Sequence, residues 1–147
     1  MNVNPSLNGN GCKLRLLCNE RNVNTTEFLS VAVAGGCGAA LRHFFCIVLP
    51  ASKFPTGTLV VNASGSLLLG VLIGFISLRA EFSPTFRLLY GTGFLGAFTT
   101  YSTFSVESAQ LILNGDHKLF IVNVLAQLVL GIGFALLGLW VGANVLS

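Results

Sequence analysis

The stretch GTGFLGAFTTYSTFSVE, Gly91–Glu107, decides the reading of this chain. It sets glycines and hydroxyls inside a segment, about Phe86–Leu113, that is otherwise apolar enough for a membrane helix. Gly91, Gly93 and Gly96 come first, and then Thr99, Thr100, Tyr101, Ser102, Thr103, Phe104 and Ser105. In hydrocarbon an unsatisfied backbone or hydroxyl group costs several kcal/mol. Such a run persists only where it packs against protein or lines a wet path. It is therefore read as a site, with Thr103 among its pathway hydroxyls, and the rest of the chain as its scaffold. Gly93 and Gly96 followed by Thr99-Thr100 predict an interruption of the helix here.

Composition fixes the setting. The chain has 147 residues, 53% hydrophobic and 9% charged, with mean hydropathy +0.79. Soluble domains carry roughly 25% charged residues, so this is an integral membrane protein. The length suits one compact helical unit without a separate soluble domain. Seventeen Gly and twelve Phe with a single Met fit helices that approach closely through small residues. The net charge of +3 rests on eight Lys/Arg. Three of them (Lys13, Arg15, Arg21) lie in the N-terminal tail, so no nucleic-acid surface is implied.

Four cysteines are present. Cys12 and Cys18 lack a neighbouring His or CxxC pair, which speaks against a metal site. Cys37 and Cys46 lie in an apolar helix and read as small hydrophobes. LRLLCNE around Cys18 superficially suggests lipoprotein cleavage, but it lacks the preceding apolar region and small residues. The first 27 residues hold no apolar run long enough for a signal peptide.

Residues 1–27 read as a polar, Asn-rich tail, and residues 28–147 as a four-helix domain. The expected spans are Phe28–Leu49, Gly57–Leu78, Phe86–Leu113 and Leu119–Leu146, each long enough for a core of about 30 Å. Pro50 and Pro55, Pro84, and Asn114-Gly115-Asp116 punctuate the loops. Short loops make successive helices antiparallel. Gly70xxxGly74 and Gly138xxxGly142 permit close helix contacts, within a subunit or across a dimer seam. Outside the tail, Arg79 and Arg87 on the side of the termini balance Lys53 and Lys118 on the other. The helical body thus carries almost no positive-inside bias. Arg42 falls inside the first span and is treated as a site residue.

Intramembrane polar residues recur at helical spacing. Thr58 and Asn62 share a face that Ser66 continues, and Asn123, Gln127 and Gly131 form a second stripe. Tyr101 and Phe104, three apart, can present adjacent ring edges. A lone polar residue can merely bond a neighbouring helix, worth roughly 0.6 kcal/mol on average. Three aligned faces in four helices argue for a polar pathway instead. No Asp or Glu sits mid-span in the first, second or fourth helix, where a proton-coupled carrier would need one. Glu107 is the only acidic residue in a span, past the expected break. The available donors are amides, hydroxyls and aromatic ring edges, with one full positive charge at Arg42. That set suits a small anion that must be partly dehydrated without being trapped.

GGCGAALRH (Gly35–His43), GTLVVNASGSLLLG (Gly57–Gly70) and TGFLGAFTTYSTFSVE (Thr92–Glu107) closely resemble the Fluc/CrcB fluoride channels. The resemblance covers about residues 28–146, and its VNxxG and GFxGxxTTxSTFSxE patterns are long and unusual. It implies an all-α integral membrane protein with four transmembrane helices per subunit, the third broken. Subunits of dual topology would pair as an antiparallel homodimer, or with a related subunit fixed in the opposite orientation. Two fluoride pores would cross the bilayer of the bacterial inner membrane. A structural sodium ion at the dimer centre would be held by backbone carbonyls, which fall at Gly96 and Thr99. The family's ring-edge phenylalanines fall at Tyr101 and Phe104, its pore asparagine at Asn62 with Thr58 one turn earlier, and its vestibule arginine at Arg42. Two departures stand out. Tyr101 replaces a usual Phe, and Asn123 and Gln127 occupy positions where Tyr and Ser are common.

The function implied is passive export of cytoplasmic fluoride, not catalysis. A negative interior drives an anion outward by about 2.3 kcal/mol per charge per 100 mV, so no coupling site is needed. A small drug-extruding carrier would need a central glutamate in the first span, where only Arg42 is charged. A non-transporting scaffold explains the glycines but not the polar faces. An enzyme is disfavoured because Ser102 and Ser105 have no partner base, with His43 and His117 far away in sequence.

Overall fold

The computed structural model describes residues 24–49, 53–77 and 83–145. The expected tail, with Cys12, Cys18 and its three basic residues, lies outside the described residues except for its last four positions, as does Arg79. Among the described residues the chain is helical, without a strand.

Helix α1, Thr25–Val48, begins where the Asn24 side chain accepts from the Thr26 amide at 3.1 Å. This satisfies one of the donors that a helix start leaves open. Helix α2 spans Thr56–Ser77. The next stretch is subdivided. A short α3, Pro84–Arg87, is capped by Ser83 and started by proline. It runs into a π-helical segment, Leu88–Leu95, and then α4, Gly96–Phe98. Thr99 (φ −81°, ψ 156°) and Thr100 (φ −149°, ψ 110°) are extended, and α5, Tyr101–Leu113, follows. A tight turn at Asn114–Asp116 leads to α6, His117–Asn144. Gly115 sits there at φ +79°, a conformation that suits glycine because it has no Cβ to clash.

Helices α1, α2 and α6 are each long and apolar enough to cross a membrane. Their surfaces are those of a protein meant for lipid: Val33, Leu68 and Val129 are exposed, while two of the three most deeply buried side chains, Asn123 and Thr58, are polar. This inverts the usual soluble distribution.

Glycine decides how the helices meet. Helices α2 and α6 run parallel, because Asn62 faces Gln127 while Gly70 and Gly74 face Ala135–Leu139 and Leu139–Ala143 further along both. A Cβ at Gly70, Gly74, Gly138 or Gly142 would collide with backbone of the opposite helix. The two GxxxG pairs therefore interlock with each other inside one subunit. On the other side, Gly35 and Gly38 of α1 receive the third segment, with Gly38 against the Phe94 carbonyl. In a bilayer, where apolar burial gives little drive to helix association, such close backbone approach is a main source of packing energy.

Candidate functional site

The site is built where the extended pair Thr99-Thr100 crosses α2. The Thr100 amide, which would otherwise close a helical turn onto the Gly96 carbonyl, donates to Asn62 Oδ1 at 2.8 Å. Asn62 Nδ2 donates back to the Thr100 carbonyl at 3.1 Å. The side-chain amide thus mimics a neighbouring strand and holds one residue of the third segment out of helix. Three positions on, Gly65 supplies the room. A Cβ there would strike Thr99 Cγ2 and crowd the Phe98 ring. Asn62 and Gly65 are the N and G of the VNxxG pattern, which gives that spacing a mechanical meaning.

Below the extended pair α5 starts afresh. Thr100 Oγ1 accepts from the Thr103 amide at 3.2 Å and donates to Thr103 Oγ1 at 2.9 Å, with Ser102 Oγ 3.3 Å away. This is an N-cap built from the hydroxyl run itself. On the other side of the gap, the Thr99 amide and hydroxyl both end on the Leu95 carbonyl at 3.1 Å.

The polar faces of three helices converge. Asn62 Nδ2 also donates to Gln127 Oε1 of α6 at 3.2 Å. One turn away on α2, Thr58 donates to Glu107 Oε1 of α5 at 2.9 Å. One turn before Gln127, the fully buried Asn123 donates from Nδ2 to Ser108 Oγ at 3.0 Å. One turn beyond Asn62, the Ser66 hydroxyl closes on the Asn62 carbonyl at 2.8 Å, with Gly131 opposite it on α6. The two sequence stripes therefore face each other along the α2–α6 seam. Tyr101 and Phe104 lie at the head of α5, with ring centroids 5.7 Å apart and planes at 59°. Phe104 is half-buried, and Tyr101 is 80% exposed in the single chain. Arg42 is half-buried on α1, and no hydrogen bond joins it to this network among the described residues.

Sequence reasoning set aside Glu107 as lying past the break, counted Thr100 in the interruption without foreseeing its bond to Asn62, and passed over Ser108. Glu107 was visible as the one carboxylate in an apolar span. Its pairing with Thr58, 49 residues earlier, was not. Glu107 Oε2, Asn123 Oδ1 and Gln127 Nε2 are buried without a hydrogen-bond partner among the described residues. Buried polar atoms are seldom left so. A seam with several of them is incomplete as a packing device.

Comparison with known proteins gives this geometry a family. Residues 29–139 match the family described as "CrcB-like protein, Camphor Resistance (CrcB)". A relative in Bacillus subtilis (strain 168), "Fluoride-specific ion channel FluC 2", is 42% identical over 118 residues, 80% of this chain and 88% of its own. "Fluoride-specific ion channel FluC" of Pyrococcus abyssi (strain GE5 / Orsay) is 40% identical, covering 80% of this chain and 94% of its own. Its namesake in Ralstonia pickettii (strain 12J) is 43% identical, covering 77% and 91%. The matched residues contain α2, the extended pair, α5 and the Asn62–Gln127 seam, and the chain belongs to the CrcB-like family.

Proposed function

We propose that this chain forms a fluoride-selective channel through which cytoplasmic fluoride leaves passively down its electrochemical gradient, limiting fluoride toxicity in a bacterial inner membrane. One observation carries this reading: a seam between two membrane-length helices is lined with neutral donors, in a chain whose relatives are named fluoride-specific channels. Amide and hydroxyl donors replace part of the hydration shell of a small anion without the deep trap that a cationic cage would make. The relatives are named as channels rather than enzymes, and export down a voltage of about 2.3 kcal/mol per charge per 100 mV needs no catalytic step.

Asn62, Thr58, Thr103, Phe104, Tyr101, Asn123 and Gln127 form the fluoride pathway in this reading, with Arg42 at its vestibule. The third span is one membrane helix broken at Thr99-Thr100. A second, oppositely oriented copy covers the exposed Tyr101 face, as an antiparallel homodimer or through a related subunit. The Gly96 and Thr99 carbonyls of each subunit would hold a structural sodium ion at the dimer centre. Local chemistry supports that fit. The amide of Thr100 is diverted to Asn62 and that of Thr103 to Thr100 Oγ1. Neither returns to the Gly96 or Thr99 carbonyl, and neutral carbonyl oxygens suit a hard cation. When bound, the cation would tie the two breaks together electrostatically.

Purified protein in liposomes should release fluoride and retain chloride when an electrical shunt is supplied. Equal efflux of both anions would sink the selective-channel reading. Exchanging sodium for a bulky organic cation should weaken subunit association, read as faster exchange between differently labelled subunits. Unchanged exchange would remove the cation from the interface.

A further inference from the structure

We infer that Leu88–Leu95 is a two-register element. In the π register seen here the Thr92 hydroxyl is stranded. In an α register that hydroxyl is bonded, and the head of the third segment, with Arg87 and Tyr90, is turned about its axis while the clasp at Thr100 stays in place. The element lies beyond the channel reading and does not depend on it.

Hydroxyls inside the helices of this bundle have an ordinary outlet. Ser30, Ser64, Ser66, Ser77 and Ser105 each donate to the carbonyl four residues back at 2.7–2.9 Å, and Thr99 does so at 3.1 Å. Thr92 differs, for its Oγ1 is buried with no hydrogen-bond partner among the described residues. The register is the cause. Main-chain bonds of a π-helix run five residues back, and the wider turn takes the Leu88 carbonyl away from the hydroxyl that would use it. At the lower edge the Gly96 amide is shared between the Gly91 and Gly93 carbonyls and misses that of Thr92, its α-helical partner. Buried hydroxyls are seldom left unpaired. Closing the segment to α-helix returns the Leu88 carbonyl to Thr92. Each register therefore satisfies what the other gives up: the doubled bond at Gly96 against the side-chain bond at Thr92.

Only one end is able to turn. Below, the Thr99 amide closes on the Leu95 carbonyl, Asn62 grips Thr100, and the Phe94 carbonyl lies against Gly38. Gly93 is seated so closely on α1 that a Cβ there would come 3.0 Å from Ala34 Cβ. The turn is thus confined to the residues before Gly93. Among these, Arg87 has a buried Nε with no partner among the described residues, so turning breaks no bond at that atom. Gly91 presents no side chain to obstruct it. A π turn holds about one residue more than an α turn. Taking up that surplus rotates the head by about 100° and moves it about 1.5 Å along its axis. Tyr90, on the exposed side and packed 4.6 Å from the Phe86 ring centroid, goes with it.

Distances between spin labels read the turn, in full-length protein reconstituted in bilayers with its four natural cysteines replaced by alanine. Labels are attached through Tyr90→Cys and, on the outer face of α2, Leu68→Cys. Dilution with unlabelled subunits leaves one labelled pair in each assembly. Two Tyr90–Leu68 distances are expected. Thr92→Val keeps the side-chain shape without the hydroxyl, and should shift their ratio about fivefold towards the π register, the factor of one ordinary hydrogen bond. Thr92→Ser retains the hydroxyl and should keep both distances populated. A second pair, Leu68→Cys with Val106→Cys below the break, should give one distance in all three proteins. A single Tyr90–Leu68 distance in the unaltered segment overturns the inference, as does a ratio that Thr92→Val leaves unchanged. Two Leu68–Val106 distances overturn it as well, because the whole third segment would then be moving. Fluoride efflux from the same vesicles is read separately, and loss of selectivity there sinks the channel reading while leaving the two registers standing.

Discussion

Asn62→Asp should nearly abolish fluoride efflux, by about a hundredfold or more, in protein that still reaches the membrane. The substitution changes almost no volume, yet it reverses the chemistry of one atom. Oδ1 can still accept from the Thr100 amide, but the atom facing the Thr100 carbonyl and Gln127 Oε1 becomes an acceptor among acceptors. Two hydrogen bonds are lost, and in their place oxygen faces oxygen on both sides. Each buried group left unsatisfied costs about 1–3 kcal/mol, and about 1.4 kcal/mol is a tenfold effect. A fixed negative charge beside the proposed path adds repulsion of the permeating anion. Proteoliposome efflux measures the result. Asn62→Ala, which removes the clasp without adding charge, separates the two causes. It should be impaired but less severely. Wild-type efflux from Asn62→Asp would take Asn62 out of both the clasp and the pathway.

The clasp also marks the limit of what sequence could say about this site. The stripes at Thr58-Asn62-Ser66 and Asn123-Gln127-Gly131 were legible because helical periodicity is a local property, and the structure sets them face to face. That Asn62 would spend most of its capacity on main chain was not legible. Its partner, Thr100, is chosen by backbone conformation 38 residues away and not by side-chain type. The same holds for Glu107. Its carboxylate was conspicuous, but only tertiary packing brings it to Thr58. Pairings across a helix bundle leave no periodic trace in one chain.

The fold was more legible than the site, for the reason that membrane helices are. Apolar length alone marks α1, α2 and α6, and their bounds lie within about three residues of the expected spans, the usual uncertainty of helix ends. The third segment is where simple hydropathy fails. Glycines and hydroxyls told that the helix would be disturbed around Gly93–Thr100, yet not that Leu88–Leu95 would widen into a π-helix. Gly35 and Gly38 of α1 lie against Gly93 and Phe94 of that widened segment, a contact between distant parts of the chain. A composition rule cannot foresee it. The roles of the GxxxG pairs were likewise open between a dimer seam and internal packing, and only the paired collisions at Gly70, Gly74, Gly138 and Gly142 place both in one subunit.

Those collisions lead to the second large effect. Gly138→Val should prevent stable folding, whereas Gly133→Val in the same helix should be tolerated. A Cβ at Gly138 would meet the Leu67 carbonyl, with Val71 N at 2.8 Å and Gly70 Cα at 3.0 Å. All three are main-chain atoms of α2 and cannot rotate aside, so α2 and α6 would have to part. Separation would also pull Gln127 from Asn62 and loosen the clasp on Thr100. Overpacking in cores typically costs about 1–3 kcal/mol, and rigid backbone on the opposing side puts this case at or above the upper end. Lipid tails are as apolar as the helices, so little hydrophobic drive offsets the loss. At Gly133 no atom lies within 4 Å of the added Cβ. That position faces outward, and valine there even gains a few tenths of a kcal/mol in helix propensity over glycine. Thermal unfolding in detergent, followed by size-exclusion profile, distinguishes the pair. Gly138→Val should lose its monodisperse peak at temperatures where Gly133→Val keeps it. Matching melting curves would mean that α2 and α6 are not held by glycine contact, and that the seam carrying Asn62 and Gln127 is looser than its geometry implies.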